Sequence, residues 1–330
     1  MELDLIIAGI KQGDVLALSK GITLVESGKP EHRLLAMKLI NALYDHERKT
    51  IRIGVTGIPG VGKSTFIEQL GLEIIRAGHK LAVLAIDPSS TRSGGSILGD
   101  KTRMEALSRS SSSYIRPSPS SGNLGGVAAR TRESMLLCEA AGFDVVIIET
   151  VGVGQSEIEV INITDCFLML AMPGTGDELQ GIKRGIMETA DMIVINKADG
   201  TNLDAAKRAK MQIEMALHLF PLPESGWAPK VKLASALKKE GIKPCWNSIK
   251  DRQSFIRENG WLKSNRIAQQ IRAFQRLSQL NIYERIATYL SKENQLSALQ
   301  ERVTSGEMNE FEASILLFQS VERFFQETKN

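Results

Sequence analysis

The sequence predicts an α/β fold with a mostly parallel central sheet, preceded by a helical extension and followed by a helical C-terminal region. Between about residues 50 and 240, short apolar runs alternate with longer helical stretches, which is typical of a parallel sheet covered on both faces. Outside these residues, apolar side chains recur at three- and four-residue steps, which indicates helices. We therefore expect three segments, at 1–49, 50–240 and 241–330.

Six apolar runs are predicted to be strands, and residues 114–116 are a candidate for a further short strand. The six runs are 51–55, 81–86, 145–148, 167–172, 192–195 and 231–234. Breaks at 13–14 and 27–30, which contain glycine or proline, divide the first segment into short helices. Ligands of parallel sheets bind at the carboxyl ends of the strands, so we expect the functional residues there.

The charge balance of the chain gives no reason to expect a strongly charged partner. Among the 330 residues, 41 basic and 38 acidic side chains leave a net charge of only +3, which gives no electrostatic reason to expect nucleic acid or a membrane as a partner. No apolar run approaches the roughly 18–20 residues of a membrane span, and the acidic start lacks the features of a targeting segment. We therefore expect a cytoplasmic protein, or a protein of an organellar matrix if a presequence has been removed. The cysteines lack metal-ligand spacing and are expected to be buried, reduced thiols; they are Cys138, Cys166 and Cys245.

The strongest local signal is a glycine-rich loop at 57–65, between a predicted strand and a predicted helix. It matches the pattern G-x-x-x-x-G-K-[ST], in which backbone N–H groups surround phosphate oxygens. The helix that follows presents its positive end to the same anion. Lys63 is expected to reach the β- and γ-phosphates, and the Ser64 hydroxyl is expected to ligate Mg²⁺. The predicted nucleotide-binding residues of this loop are Gly57, Pro59, Gly60, Val61, Gly62, Lys63, Ser64 and Thr65.

A second signal, Asn-Lys-Ala-Asp at 196–199, directly follows a predicted strand. The Asp199 carboxylate can accept hydrogen bonds from both N1–H and the N2 amine of guanine, an edge that adenine lacks. Lys197 can lie along the base plane, and Asn196 can brace the loop. Ser235, Ala236 and Leu237 follow the last predicted strand and are candidates for the loop whose backbone amide meets guanine O6. The expected ligand is therefore GTP or GDP.

Acidic residues at strand ends are the candidates for magnesium binding and catalysis. Glu149 ends an apolar strand and can bind Mg²⁺ directly or through water, while Gly152 can offer its N–H to the γ-phosphate. Asp87 ends another strand, and Asp100 lies in a glycine-rich polar segment; either can orient the attacking water or the metal. The predicted catalytic residues are Lys63, Asp87, Asp100 and Glu149, and the predicted Mg²⁺ ligands are Ser64, Asp87, Asp100 and Glu149.

The last predicted helix carries an apolar stripe at helical spacing, formed by Phe311, Ile315, Phe318, Val321 and Phe325. Two interpretations stay open. The stripe either packs on its own domain or contacts a second copy of the chain in a homodimer.

Several longer segments together resemble the MeaB/ArgK family, which includes the protein affected in methylmalonic aciduria type A. They are Asp87-Pro-Ser-Ser, Ile97-Leu-Gly-Asp-Lys-Thr-Arg-Met104, Ile115-Arg-Pro-Ser-Pro119, Glu149-Thr-Val-Gly-Val-Gly-Gln-Ser-Glu157 and Gly176-Asp-Glu-Leu-Gln-Gly-Ile-Lys183. The resemblance implies a P-loop NTPase fold and a GTPase that acts as a chaperone of an adenosylcobalamin-dependent acyl-CoA mutase, usually methylmalonyl-CoA mutase. Such proteins gate cofactor loading and protect the mutase from inactivation.

The resemblance also implies a homodimer with a C-terminal dimerisation arm, and it assigns two switches. Residues 149–157 become switch II, and 174–183 become an additional switch that reports the nucleotide state to the mutase. The implied switch residues are Gln155, Asp177, Glu178, Gln180 and Lys183.

Two other classes of protein share the same core. A metal-insertion GTPase would be expected to carry a His-rich tail or a Cys/His cluster, whereas the four histidines here are dispersed: His32, His46, His79 and His218. A transport-linked ATPase or kinase would bind ATP and GTP equally well.

Overall fold

The computed structural model describes residues 2–45, 48–87, 104–119, 124–150, 156–173, 184–292 and 294–327. These residues form two compact units, Met1–Gln269 and Gln270–Asn330. The first unit contains the whole sheet, and the second is helical. The division predicted from the sequence, with boundaries after residues 49 and 240, stays a prediction.

Seven strands form one sheet in the order β3-β2-β4-β1-β5-β6-β7, and every neighbouring pair is parallel. The α/β prediction is thereby confirmed. The strands are β1 (Ile51–Gly57), β2 (Leu81–Asp87), β3 (Ser113–Pro119), β4 (Val145–Thr150), β5 (Cys166–Ala171), β6 (Met192–Ile195) and β7 (Lys230–Leu233). All six predicted strands are present with ends displaced by at most two residues, and 114–116 belongs to β3.

Helices cover both faces of the sheet, as the continuous apolar strands predict. The helices of the first unit are α1 (Glu2–Lys11), α2 (Val15–Glu26), α3 (Pro30–Leu43), α4 (Lys63–Arg76), α5 (Glu105–Ser108), α6 (Leu124–Ala140), α7 (Ser156–Ile161), α8 (Arg184–Thr189), α9 (Leu203–Leu217) and α10 (Ile242–Glu258). A further helix, α11 (Trp261–Lys292), begins in the first unit and ends in the second. Successive residues of β2 enter different cores: Leu84 packs with the α1–α3 side, and Val83 packs with the α4 and α10 side.

The predicted breaks between the first three helices are confirmed. Asp14 caps α2, because its carboxylate accepts hydrogen bonds from the backbone N–H groups of Leu16 and Ala17. Pro30 is the first residue of α3, where its missing N–H costs nothing. The three helices thus start where the local sequence favours them.

The second unit contains the end of α11 together with α12 (Gln295–Thr304) and α13 (Glu310–Glu327). Phe311, Ile315 and Phe318 of the predicted stripe are 73%, 60% and 65% exposed in the single chain. These three side chains are therefore mostly exposed to solvent, and both interpretations of the stripe stay predictions. In the described part of the chain, no helix is both long and apolar enough to cross a bilayer.

Buried charged side chains connect the sheet to a helix near the amino-terminal ends of the strands. Arg52 in β1 forms a two-point ion pair with Glu139 of α6, with N–O distances of 2.6 and 3.0 Å. Burial lowers the pKa of Arg52, but the charge of Glu139 and its hydrogen bonds outweigh this effect, so the net pKa is raised. The guanidinium of Arg52 therefore keeps its charge although it is buried.

Candidate nucleotide-binding site

The glycine-rich loop lies between β1 and α4, where the sequence predicts it. Gly62 has φ of 91°, and a Cβ atom there would lie 2.9 Å from Asn196 Nδ2. A Cβ atom on Gly57 would lie 2.7 Å from the Leu170 carbonyl oxygen of β5. Larger residues at these two positions would therefore disturb the loop itself. Because α4 starts at Lys63, the unpaired N–H groups of its first turn are available to an anion held in the loop.

Lys63 folds back over the loop that precedes it. Its ammonium Nζ donates to the carbonyl oxygens of Gly57 and Ile58, at 2.7 and 3.3 Å. Burial lowers the pKa of Lys63, and the nearby carboxylates of Glu149 and Glu157 oppose this effect. The positive charge thus lies inside the loop, in reach of phosphate oxygens bound there.

Glu149 and Ser64 form the oxygen pair that suits a magnesium ion. The two side chains lie 3.3 Å apart, between Ser64 Oγ and Glu149 Oε1. Parallel pairing of β1 with β4 places Glu149 opposite Val55, just before the loop begins. Glu149 is 4% exposed. A hydroxyl and a carboxylate beside a phosphate loop are hard oxygen ligands of the kind that Mg²⁺ prefers, so these residues fit the predicted ion.

Glu157 is a member of this site that the sequence did not single out by itself. It lies in the first turn of α7, is 1% exposed and acts electrostatically on Lys63. Its only sequence signal is its place at the end of the motif 149–157. In the sequence, a buried acidic residue of a short helix looks the same whether it is functional or structural, so no local pattern identifies Glu157.

Asn196 joins three loops at the carboxyl ends of their strands. The side chain is buried; its Nδ2 donates to the carbonyl oxygen of Val61 at 2.8 Å, and its Oδ1 accepts from the backbone N–H of Ala236 at 3.0 Å. The predicted phosphate loop and both predicted guanine loops therefore lie together. Asn196 therefore braces the two neighbouring loops as well as its own.

Ser235 orients the predicted guanine-reading carboxylate. Its hydroxyl accepts from the backbone N–H of Lys238 at 3.0 Å and donates to Asp199 Oδ2. This hydrogen bond fixes the orientation of the Asp199 carboxylate. Lys197 is exposed with φ of 58°, and Leu237 is 77% exposed. Both side chains flank the site from the solvent side.

Eight of the predicted residues lie partly or wholly outside the described part of the chain. The backbone of Asp87 ends β2, which lies beside β4, but its side chain is not among those described. The others outside the described residues are Asp100, Gly152, Gln155, Asp177, Glu178, Gln180 and Lys183. Their roles stay predictions, as do those of the residues placed above.

The three cysteines are free and buried, as predicted. Burial raises the pKa of Cys166 and of Cys245 to about 12, and it raises that of Cys138 further. These thiols are therefore protonated near neutral pH, and their reactivity is low.

Comparison with known proteins places this site in a family context. Residues 18–291 match the family described as methylmalonyl-CoA mutase-associated GTPase MeaB. GTPase ArgK of Escherichia coli (strain K12) is 51% identical over 262 residues, which cover 79% of each chain. The mitochondrial methylmalonic aciduria type A homolog of Mus musculus is 42% identical over 328 residues, which cover 96% of this chain and 79% of that protein. A crystal structure described as LAO/AO transport system kinase is 37% identical, with a TM-score of 0.74 and 97% of each chain covered.

Proposed function

Because this chain belongs to the MeaB family and is a GTPase, we propose that it is a nucleotide-dependent chaperone of an adenosylcobalamin-dependent acyl-CoA mutase, specifically methylmalonyl-CoA mutase. In this role it gates loading of the cobalamin cofactor and protects the mutase from inactivation. The observation that carries the proposal is the match to a mutase-associated family over residues 18–291. The 42% identity to a methylmalonic aciduria type A homolog supports the same partner.

The site supports GTP hydrolysis through charge and position. The N–H groups of the first turn of α4 and the Lys63 ammonium stabilise charge that develops on the β- and γ-phosphates. Ser64 and Glu149 would hold Mg²⁺, which when bound neutralises phosphate charge. Asp87 or Asp100 orients the attacking water in this proposal. Since none of the hydrogen bonds described for this site joins an arginine to the phosphate loop, we expect slow intrinsic hydrolysis that a partner accelerates.

Guanine selectivity in the proposal comes from Asp199, which Ser235 holds by a hydrogen bond. Lys197 covers the base, and a backbone amide of residues 235–237 meets guanine O6. Gly152 offers its N–H to the γ-phosphate. The switch residues Gln155, Asp177, Glu178, Gln180 and Lys183 then report the nucleotide state to the mutase.

We further propose a cytoplasmic homodimer in which the exposed apolar stripe of α13 contributes to the contact between copies. Phe311, Ile315 and Phe318 are exposed in the single chain, and burying such side chains in a two-fold interface would remove apolar surface from water.

The decisive experiment mixes the protein with candidate acyl-CoA mutases in the presence of GDP or a non-hydrolysable GTP analogue. Complex formation is followed by analytical size exclusion, and the GTPase rate is measured with and without each mutase. The proposal expects a nucleotide-dependent complex and a faster GTPase rate with methylmalonyl-CoA mutase. A protein that hydrolyses GTP normally but neither binds a mutase nor changes rate in its presence contradicts the proposed partner.

The same assays address the two alternatives. Equal affinities for ATP and GTP would favour a transport-linked ATPase or kinase, the class for which the 37% identical protein is named. Stoichiometric nickel binding that depends on nucleotide would favour a metal-insertion GTPase.

A further inference from the structure

The helix α7 lies directly against the strand that leads into the phosphate loop. A Cβ atom on Gly54 of β1 would lie 2.7 Å from Val160 Cγ1 of α7, so glycine is what allows this approach. The helix begins immediately after residues 151–155, which include Gly152, the residue predicted to offer its N–H to the γ-phosphate. Its first turn carries the buried Glu157, which faces the charge of Lys63. The position of α7 therefore bears on the γ-phosphate side of the site.

The turn that ends α7 is connected to α11 by buried hydrogen bonds. Thr164 Oγ1 donates to the Val160 carbonyl oxygen at 2.8 Å, which fixes the turn to the helix. Gln269 Nε2 of α11 donates to the Thr164 carbonyl oxygen at 2.7 Å. Both Thr164 and Gln269 are buried, at 4% and 2% exposure. The two hydrogen bonds thus form a continuous connection from α7 to α11, shielded from water.

Arg266, one helical turn before Gln269, holds the next residue of the same turn. Its guanidinium pairs with both carboxylate oxygens of Asp165, at 2.9 and 2.6 Å. It also donates to the carbonyl oxygens of Arg48 and Thr50, at 2.8 and 2.5 Å. The planar guanidinium can donate to these four oxygens in one orientation only. The ammonium group of a lysine could not reproduce these contacts. Residues 164–165 are therefore attached to α11 at two adjacent points.

We propose that Gln269 and Arg266 are positioning residues of the GTPase, which act from α11 through the Thr164–Asp165 turn to place α7 and its Glu157 beside the phosphate site. The inference goes beyond the proposed partner, because it concerns the intrinsic rate of hydrolysis. It depends only on GTPase activity and not on a mutase.

Hydrolysis and binding are expected to respond differently. Nucleotide affinity is expected from the phosphate loop, α4 and the guanine loops, whereas α7 contributes none of the predicted nucleotide-binding residues. A displaced α7 should therefore lower kcat with little change in KM for GTP. A protein that is merely less stable, by contrast, loses active molecules but keeps the kcat of the folded fraction.

The test uses Gln269→Met, which keeps the length of the side chain and removes its amide, with Gln270→Met as the matched control. We expect Gln269→Met to lower kcat about three- to tenfold, the range that follows from losing one buried hydrogen bond. The KM for GTP and the affinity for GDP should stay within about twofold, and the control should behave like wild type. Thermal unfolding is recorded for each variant, and kinetics are measured well below the midpoint.

Thr164→Val provides a second and independent variant, since it removes the bond to Val160 from the other end of the connection. It should lower kcat in the same way, and the double variant should fall no further than the more affected single variant, because both changes break one series of contacts. The proposal is overturned if kcat of Gln269→Met matches that of Gln270→Met, or if the two effects multiply in the double variant. If Gln269→Met does not fold, an unchanged kcat in Thr164→Val overturns it equally.

Discussion

Replacing Asn196 by alanine should damage the nucleotide site more than any single contact with the base would suggest. The side chain is 2% exposed and supplies one donor, to the Val61 carbonyl, and one acceptor, from the Ala236 N–H. The alanine variant leaves both backbone groups without these partners. Each buried group that loses its partner costs about 1–3 kcal/mol. We therefore expect the free energy of unfolding to fall by about 2–4 kcal/mol, with partial relief by water.

The same change should weaken GDP binding by at least about tenfold, which corresponds to about 1.4 kcal/mol. The physical reason is that the phosphate loop and the guanine loop are no longer held together before the ligand arrives, so binding must order them. Calorimetric titration with GDP and urea unfolding without nucleotide measure the two effects. Asn202→Ala is the matched control, because Asn202 is exposed, lies six residues further along the chain, and makes no capping hydrogen bond with its side chain at the start of α9. If unfolding and GDP affinity of the two variants agree within about 0.5 kcal/mol, Asn196 does not join the loops as described.

Three further predictions follow from described contacts. Asp199→Asn should weaken GTP binding and favour xanthosine triphosphate in competition assays. The reason is that an amide can donate a hydrogen bond to O2 of xanthine, which takes the place of the N2 amine of guanine. An unchanged preference for guanine would contradict the assignment of Asp199. Gly54→Ala should lower the midpoint of thermal unfolding and the GTPase rate together, since its Cβ would lie 2.7 Å from Val160; a variant as stable as wild type would mean that α7 moves freely. Cys166 and Cys245, whose pKa burial raises to about 12, should resist a thiol reagent at pH 8 until the protein is unfolded. Because unfolded thiols lose their protons above about pH 8.5 while folded ones keep them, stability should fall as the pH rises beyond that value.

The strands and the motif loops were predictable because their signals are local. A parallel strand buried on both faces is a continuous apolar run, as in β4 and β5, whose residues are all buried. The carboxyl ends of β1, β4, β6 and β7 meet on one edge of the sheet, so the loops that follow them had to lie together. The sequence also indicated that Asn196 braces a loop, although it did not identify the partners Val61 and Ala236.

The contacts on the opposite edge were not predictable, because they join residues far apart in sequence. Arg266 and Asp165 are 101 residues apart, and neither has a neighbour pattern that marks it as a partner of the other. Arg252 bonds Asp191 across 61 residues in the same way. Charged residues on helices such as α10 and α11 are usually solvated, so hydropathy patterns assign them to the surface.

The hydrogen bonds of Arg266 to four acceptor oxygens have a consequence for the synthesis of the chain. Thr50, which precedes β1, leaves the ribosome 216 residues before the arginine that binds its carbonyl oxygen. At about 5–20 residues per second, this interval lasts about 10–40 seconds. Asp165 is made 101 residues before Arg266, so for about 5–20 seconds its buried carboxylate lacks the guanidinium that pairs with both of its oxygens. The hydrogen bonding of this buried turn is therefore expected to be complete only when the start of α11 emerges.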